Sequence, residues 1–167
     1  GTLGVVGDGL DARLPHTTPD PVTLHVAVAE IAAAGVDHLA IEASSHGLDQ
    51  CRMDAVEVAA AGFTNLSQDH FDYHPTVDHY LQAKLRLFEV VMAPGGTAVL
   101  NGDVPEFARL EQVCRASGHK VVTYGTGPSD LHLTAIEPGR TITVEVAGEG
   151  HQVAFTLPGT YQALNAL

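Results

Sequence analysis

The sequence predicts an α/β domain with a mostly parallel sheet, flanking helices and an antiparallel β-ribbon near its C-terminal end. Three observations predict it. Between residues 22 and 124, segments with apolar residues at helical spacing alternate with short apolar runs, the pattern of β-α units joined by right-handed crossovers. Those runs are almost continuous in Ala, Val, Ile and Leu, as strands buried on both faces are. From residue 131 onward the pattern changes to period-two alternation broken by glycine turns, the mark of an antiparallel meander.

Each element has its own reason. Residues 1–7 read as a strand. Asp20 is a good N-cap, Pro21 suits the first helical position, and residues 22–34 continue as a helix that Gly35 stops. Residues 38–43 form a short apolar run containing Glu42 and read as a buried parallel strand. Residues 56–64 are the next strand. The longest helix spans residues 77–92, with Tyr80, Leu81, Lys84, Leu87 and Phe88 at helical spacing, and Pro94-Gly95-Gly96 ends it. A strand over 97–100, a helix over 104–116 and a strand over 120–124 follow. The ribbon, residues 131–157, holds strands at 131–137, 140–146 and 152–157. Residues 160–167 read as a helix just begun. All of it is expected to be one domain, 1–167, cut at both ends from a longer protein.

Composition removes several function classes. Eight Lys and Arg face twenty Asp and Glu, a net charge of -12, so no basic stripe exists for nucleic acid. No apolar run reaches the length of a membrane span and no signal peptide is visible. Cys51 and Cys114 lie far apart without CxxC spacing, against a zinc cluster or a disulfide framework. A reducing cytoplasm is the expected setting.

The segment from Phe63 to His74 concentrates the chemistry. It places Asn65, Asp69, His70, Asp72 and His74 after an apolar strand, with Lys84 ten residues further on. Sheets of this class present metal and phosphate ligands at the carboxyl ends of their strands. Asp69, His70, Asp72 and His74 suit a magnesium-phosphate site, a metallohydrolase site, or a polar loop with capping aspartates; no HExxH pattern supports the second. Glu42 suits Mg²⁺, which takes one or two carboxylates plus phosphate oxygens and water, or a plain salt bridge or cap. Lys84, within an apolar stripe, either snorkels to solvent or is desolvated with a depressed pKa. In the second case its neutral amine can react with CO₂ to give a carbamate. The stretch from His16 to Asp20 either caps the following helix or grips an anion with hydroxyls and helix amides. Arg52 is a surface cation or part of the same site.

Four motifs in series carry a family resemblance: Thr17-Thr18-Pro19, the stretch from Ile41 through Glu42, Ser44 and Gln50 to Arg52, the stretch from Phe63 to His74, and Ala83-Lys84-Leu85-Arg86-Leu87-Phe88. In this order they closely resemble the central ATP-binding domain of the Mur ligase family, in its MurE branch of UDP-N-acetylmuramoyl-dipeptide ligases of peptidoglycan biosynthesis. The resemblance covers the whole chain. It implies an ATP-dependent ligase that adds a diamino acid, meso-diaminopimelate or L-lysine, to UDP-MurNAc-L-Ala-D-Glu through an acyl phosphate. It implies Glu42, His70 and Lys84 as catalytic residues and Mg²⁺ ligands, with Lys84 matching the family's carbamylated lysine. It implies that Thr17, Thr18, Ser44, Gln50 and Arg52 hold the UDP-linked substrate, and that Asn65 and Asn165 contact ATP. It also implies N- and C-terminal companion domains of the same protein. The family's phosphate loop lies upstream of the stretch matched here, so the chain alone is expected to be inactive. Gln162 stands where many relatives have Asn, and Ala43 where they often have Val. Two other readings remain: a sister ligase of folylpolyglutamate or cyanophycin synthetase type, which the Ser44–Arg52 motif disfavours, and a non-catalytic fragment that binds ligand.

Overall fold

The computed structural model describes residues 4–7, 10–14, 16–66, 73–137, 139, 141–157 and 159–167. They fall into two units, one from residues 1–58 and 68–93, the other from residues 59–67 and 94–167.

The first unit begins with a hairpin. Strands β1 (Val5–Gly7) and β2 (Leu10–Ala12) pair antiparallel, Val5 opposite Ala12; the single strand expected over 1–7 is therefore one arm of a hairpin. Helix α1 (Pro21–Ala33) starts as expected, with the Asp20 carboxylate accepting from the Val22 and Thr23 amides. Gly35 ends it at a φ of 84°. Helix α2 (Ser45–Asp49) was not anticipated; Ser44 caps it by accepting from the Gly47 amide at 3.1 Å. Helix α3 (Val77–Arg86) is capped by Thr76 and runs into a π-helical turn, Leu87–Val91. Leu24 of α1, Leu48 of α2, Met53 and Val91 form one buried cluster, with Val28, Ile41, Val56 and Leu87 packed against it. The apolar stripes read from the sequence meet there, and this removal of apolar area from water is the main force holding the unit together.

One expectation for this unit fails. Residues 38–43 are not a strand. They have no ladder partner among the described residues, and Leu39 is 45% exposed. A strand is defined by its neighbours' hydrogen bonds as much as by its own residues. Glu42 thus lies on an irregular segment entering α2.

The second unit is a six-stranded sheet in the order β3 (Val58–Phe63), β4 (Met92–Asn101), β5 (Lys120–Gly125), β6 (Leu131–Glu137), β7 (Thr141–Val146) and β8 (Glu149–Ala154). Val58, Met92 and Ala93 are counted with the first unit. β4–β5 and β5–β6 are parallel; β6–β7 and β7–β8 are antiparallel. The mostly parallel sheet with an appended ribbon is as expected. β4 starts at Met92 rather than 97 and runs through Pro94-Gly95-Gly96, but its pairing with β5 begins only at Thr97, so Pro94 owes β5 no hydrogen bond. β8 begins three residues before the expected 152, after a two-residue turn in which Ala147 and Gly148 both have positive φ. Helices α4 (Phe107–Ala116) and α5 (Thr160–Asn165) complete the unit. Leu133, Ile142, Val144 and Ala163 form its buried cluster under the ribbon. Cys114 is buried on α4, and that burial pushes its thiol up to about 11. Among the described residues, no helix is long and apolar enough to cross a membrane.

Candidate functional site

Thr18, Ser44 and the Glu42 backbone form a closed corner in the first unit. Thr18 is 1% exposed. Its hydroxyl donates to the Glu42 carbonyl at 3.0 Å and accepts from the Ser44 amide at 3.0 Å and the Ser44 hydroxyl at 3.1 Å. One donor and two acceptor positions are then all used. Gly47 makes the corner possible, since a Cβ there would lie 2.6 Å from the Thr18 side chain. Thr18 therefore fixes how residues 42–44 enter α2. Thr17, half-buried beside it, lines an apolar cavity of about 490 Å³ together with Leu24, Ile41 and Glu42.

The turn after α2 carries Gln50 and Arg52. The Arg52 amide donates to the Gly47 carbonyl at 2.8 Å and the Cys51 amide to Leu48 at 3.1 Å, which is the Schellman ending of a helix. Such an ending requires a left-handed residue. Cys51 fills that place with a φ of 56°, although glycine would do so without strain. Arg86 of α3 braces the turn: its Nε donates to the Leu48 carbonyl at 2.9 Å, and its Nη2 reaches both Asp54 oxygens at 2.8 and 2.7 Å and the Cys51 sulfur at 3.2 Å. The Asp54 carboxylate raises the already high pKa of this guanidinium.

Arg52 and Gln50 act as a pair. The Arg52 Nη1 donates to the Thr18 carbonyl at 2.8 Å, and its Nε and Nη2 both donate to the Gln50 Oε1, the Nε at 3.0 Å. The Gln50 Nε2 donates to the Tyr73 hydroxyl at 3.2 Å, and that hydroxyl donates to the Asp49 carboxylate at 2.7 Å. The Tyr73 ring lies 4.0 Å from His46 and meets buried His74 edge-on at 4.8 Å, centroid to centroid.

Lys84 projects from the same helix as Arg86, in an opposite electrostatic setting. It is partly buried, and that burial pulls its ammonium below the ordinary lysine value, with the Glu42 carboxylate opposing the shift. Its Nζ sits 5.2 Å from the centroid of the Tyr80 ring. His74 stacks on that ring at 4.9 Å and brings its Nδ1 within 3.0 Å of the Nδ1 of His79. His70, Asp69 and Asp72 lie outside the described residues. Among the described residues, no three His, Cys, Asp or Glu side chains are arranged to hold a metal ion.

Asn65 and Asn165 belong to the second unit. Asn65 is exposed just past the carboxyl end of β3, and its neighbour Thr64 is held by the Asn101 side-chain amide, which donates to the Thr64 carbonyl at 2.8 Å. Asn101 in turn accepts from the Asp103 amide at 2.9 Å. Asp103, an exposed residue, accepts from three donors: the Thr126 amide at 2.7 Å, the Thr126 hydroxyl at 3.0 Å and the Gly127 amide at 3.2 Å. Burial would raise this carboxyl, but the donors outweigh it and hold it below the ordinary aspartate value. Asn165 is exposed at the last turn of α5.

The structure thus brings Thr18, Ser44, Gln50 and Arg52 into one hydrogen-bonded network and sets Glu42 in the field of Lys84. Sequence reasoning passed over Tyr73, Arg86 and Asn101. Asn101 had a readable signal, a polar residue closing an apolar strand run. Tyr73 and Arg86 had none, because their partners lie 23 to 38 positions away in the chain.

The whole chain, residues 1–167, matches the Mur ligase middle domain family. Similar curated proteins include the UDP-N-acetylmuramoyl-L-alanyl-D-glutamate--2,6-diaminopimelate ligases of Chelativorans sp. (strain BNC1), 45% identical over 170 residues, and of Bradyrhizobium diazoefficiens, 46% identical over 174 residues. Each alignment covers 100% of this chain but only 35% and 36% of the relative. A solved structure of a ligase with the same activity in its name superposes with a TM-score of 0.85 at 28% identity, over 99% of this chain and 34% of that one. MurF from Acinetobacter baumannii shares the fold over 65% of this chain and 24% of its own, at a TM-score of 0.57 and 20% identity.

Proposed function

This chain belongs to the Mur ligase middle-domain family, and from that premise we propose that it is the ATP-binding part of a cytoplasmic ligase that joins 2,6-diaminopimelate to UDP-MurNAc-L-Ala-D-Glu in peptidoglycan synthesis. The chain spans about a third of the length of the relatives it matches, so the activity is assigned to the full-length parent. Diaminopimelate is favoured over lysine because the relatives at 45% and 46% identity carry diaminopimelate in their names.

The observation that carries the proposal is the match of residues 1–167 to the Mur ligase middle domain, and Lys84 adds a chemical feature to it: burial lowers its ammonium pKa, with the Glu42 carboxylate opposing the shift. An amine with a lowered pKa exposes its lone pair more often at neutral pH. The ammonium first gives one proton to solvent, the freed lone pair adds to the carbon of CO₂, and a second proton leaves, so that a cationic side chain becomes an anionic carbamate. Glu42, His70 and the carbamate of Lys84 would then offer oxygen and nitrogen donors suited to Mg²⁺. Bound there, Mg²⁺ supplies positive charge that offsets the charge of the ATP phosphates, the main requirement of phosphoryl transfer.

The chain's own residues have separable tasks. Arg52, held by Gln50 and the Thr18 carbonyl, presents a guanidinium to an anionic group of the UDP-linked substrate. Ser44 and Thr18 set the backbone between Glu42 and α2, and Thr17 and Glu42 both line the cavity. Asn65 and Asn165 would contact the nucleotide. In the reaction, the glutamyl carboxylate attacks the γ-phosphorus of ATP and ADP leaves. The amine of diaminopimelate then attacks the acyl carbon, a tetrahedral intermediate forms, and phosphate departs with the amide bond made.

The test is direct. Full-length parent enzyme given UDP-MurNAc-L-Ala-D-Glu, ATP, Mg²⁺ and meso-diaminopimelate should release one phosphate for each UDP-MurNAc-tripeptide formed. ATP turnover that instead elongates a folate or a cyanophycin primer, with no muramoyl product, would move the protein to another branch of the superfamily.

A further inference from the structure

Between Arg52 and Asp49 the hydrogen bonds run in one direction. Arg52 donates twice to Gln50 Oε1. Gln50 can offer that oxygen only if its Nε2 points the other way, where it donates to the Tyr73 hydroxyl at 3.2 Å. Tyr73 can accept there because its own proton is spent on Asp49 at 2.7 Å. An ionised carboxylate is acceptor-only, so the end of the chain sets the sense of every link before it. We infer that Tyr73 is a positioning residue for the UDP-linked substrate: its hydroxyl fixes which way the Gln50 amide faces and, through it, the aim of the Arg52 guanidinium.

Without the hydroxyl the Gln50 amide can rotate by half a turn. Its NH₂ would then face the Arg52 Nε and Nη2, donor against donor, and the guanidinium would keep only the Thr18 carbonyl. Three of the five Arg52 N–H groups are committed among the described residues; a bidentate contact to a carboxylate or phosphate needs the remaining two held in one plane. The backbone half of the aim is set separately. Arg86 ties the Leu48 carbonyl, Cys51 and Asp54 together, which holds the turn on which Gln50 and Arg52 ride. Tyr73 thus controls side-chain orientation on a backbone that is already fixed. Its ring contacts with His46 and His74 survive in phenylalanine, so the hydroxyl can be removed alone.

The inference rests on the proposed function, and the experiment keeps the two apart. In full-length enzyme, Tyr73→Phe should raise the KM for UDP-MurNAc-L-Ala-D-Glu about tenfold, the worth of one oriented charge-assisted hydrogen bond. The kcat and the KM for ATP should stay within about twofold of wild type, a split that general destabilisation does not produce. Gln50→Ala should raise the same KM, and adding Tyr73→Phe to it should change nothing further, because the relay is already cut. An unchanged KM in Tyr73→Phe, or two fully additive effects, overturns the inference and leaves the proposed function standing. A wild-type enzyme that neither binds nor turns over the UDP-linked dipeptide overturns the proposed function, and this inference with it.

Discussion

Two polar turns in this chain are built from the same materials and end in opposite states. At the Asp103 turn a carboxylate takes three donors from Thr126 and Gly127, and a Cβ on neighbouring Gly125 would come within 2.8 Å of it. Three of that carboxylate's roughly four acceptor sites are filled from within the described residues. At the Gln50–Arg52 turn the guanidinium is held from one side by Gln50 and Thr18, and two of its donors are uncommitted among the described residues. Both turns are ordered by hydrogen bonds, so order alone does not separate structural from functional polarity. The separating quantity is whether the donors and acceptors balance. A cluster whose groups are nearly all paired stabilises its own loop; one with two spare donors suits a bidentate anion, the role proposed for Arg52.

The largest effect is expected at Lys84, in the unit that carries the Gln50–Arg52 turn. In the full-length parent, Lys84→Ala should lower the rate about a hundredfold or more, and formate or acetate should partly restore it by supplying oxygen ligands in the space vacated. Near-normal activity without the additive would show that Lys84 is an ordinary cation. The next largest effect is on folding: Gly47→Ala drives a methyl into Thr18 and should cost about 1–3 kcal/mol in chemical denaturation of the chain.

On the closed side, Asp103→Asn should cost about 1 kcal/mol, since one carboxamide cannot accept from all three donors, and should leave the KM of the UDP-linked substrate unchanged. The folded Asp103 pKa lies below its unfolded 3.8. Its stabilisation is therefore present above that pH and lost as the pH falls through the folded value, so wild type and variant should converge in stability in acid. Lys84→Met tests the reverse sign. Burial lowers the folded lysine below its unfolded 10.5, so the unfolded chain holds the proton more tightly and the charged amine destabilises the fold at neutral pH. The variant should be the more stable at pH 7 in chemical denaturation, and that advantage should shrink as pH rises toward 10.5. The smallest effect is expected from Cys51→Gly, which relieves a left-handed residue while losing a sulfur contact to Arg86; the unfolding free energy from urea titration should change by only about a few tenths of a kcal/mol.

How much of this was legible in the sequence depended on where the cause of each feature lies. Asp20 and Gly35 mark the ends of α1 because capping is a matter of adjacent residues. The β-α alternation and the ribbon were legible because periodicity is local. Residues 38–43 misled, because an apolar run states that a segment wants burial, while strand formation also needs a ladder partner. The five-residue helix α2 was hidden because so short a segment has no period to detect, although Ser44 ahead of the Gly47 amide was a readable cap. Lys84 in its apolar stripe was legible as an anomaly. The Arg52–Gln50–Tyr73–Asp49 chain was not, since its direction follows from contacts across some twenty positions that only folding brings together.

The two cysteines give the protein a built-in optical handle. Cys114 lies in the core with its thiol pushed up to about 11, where alkylating reagents find neither access nor thiolate. Cys51 stands exposed at the crest of the turn, between Gln50 and Arg52. Within residues 1–167 a maleimide dye would therefore attach at one place. Because that place is the pivot between the two residues proposed to grip the UDP-linked substrate, a dye there would sit where occupancy of the turn changes its surroundings.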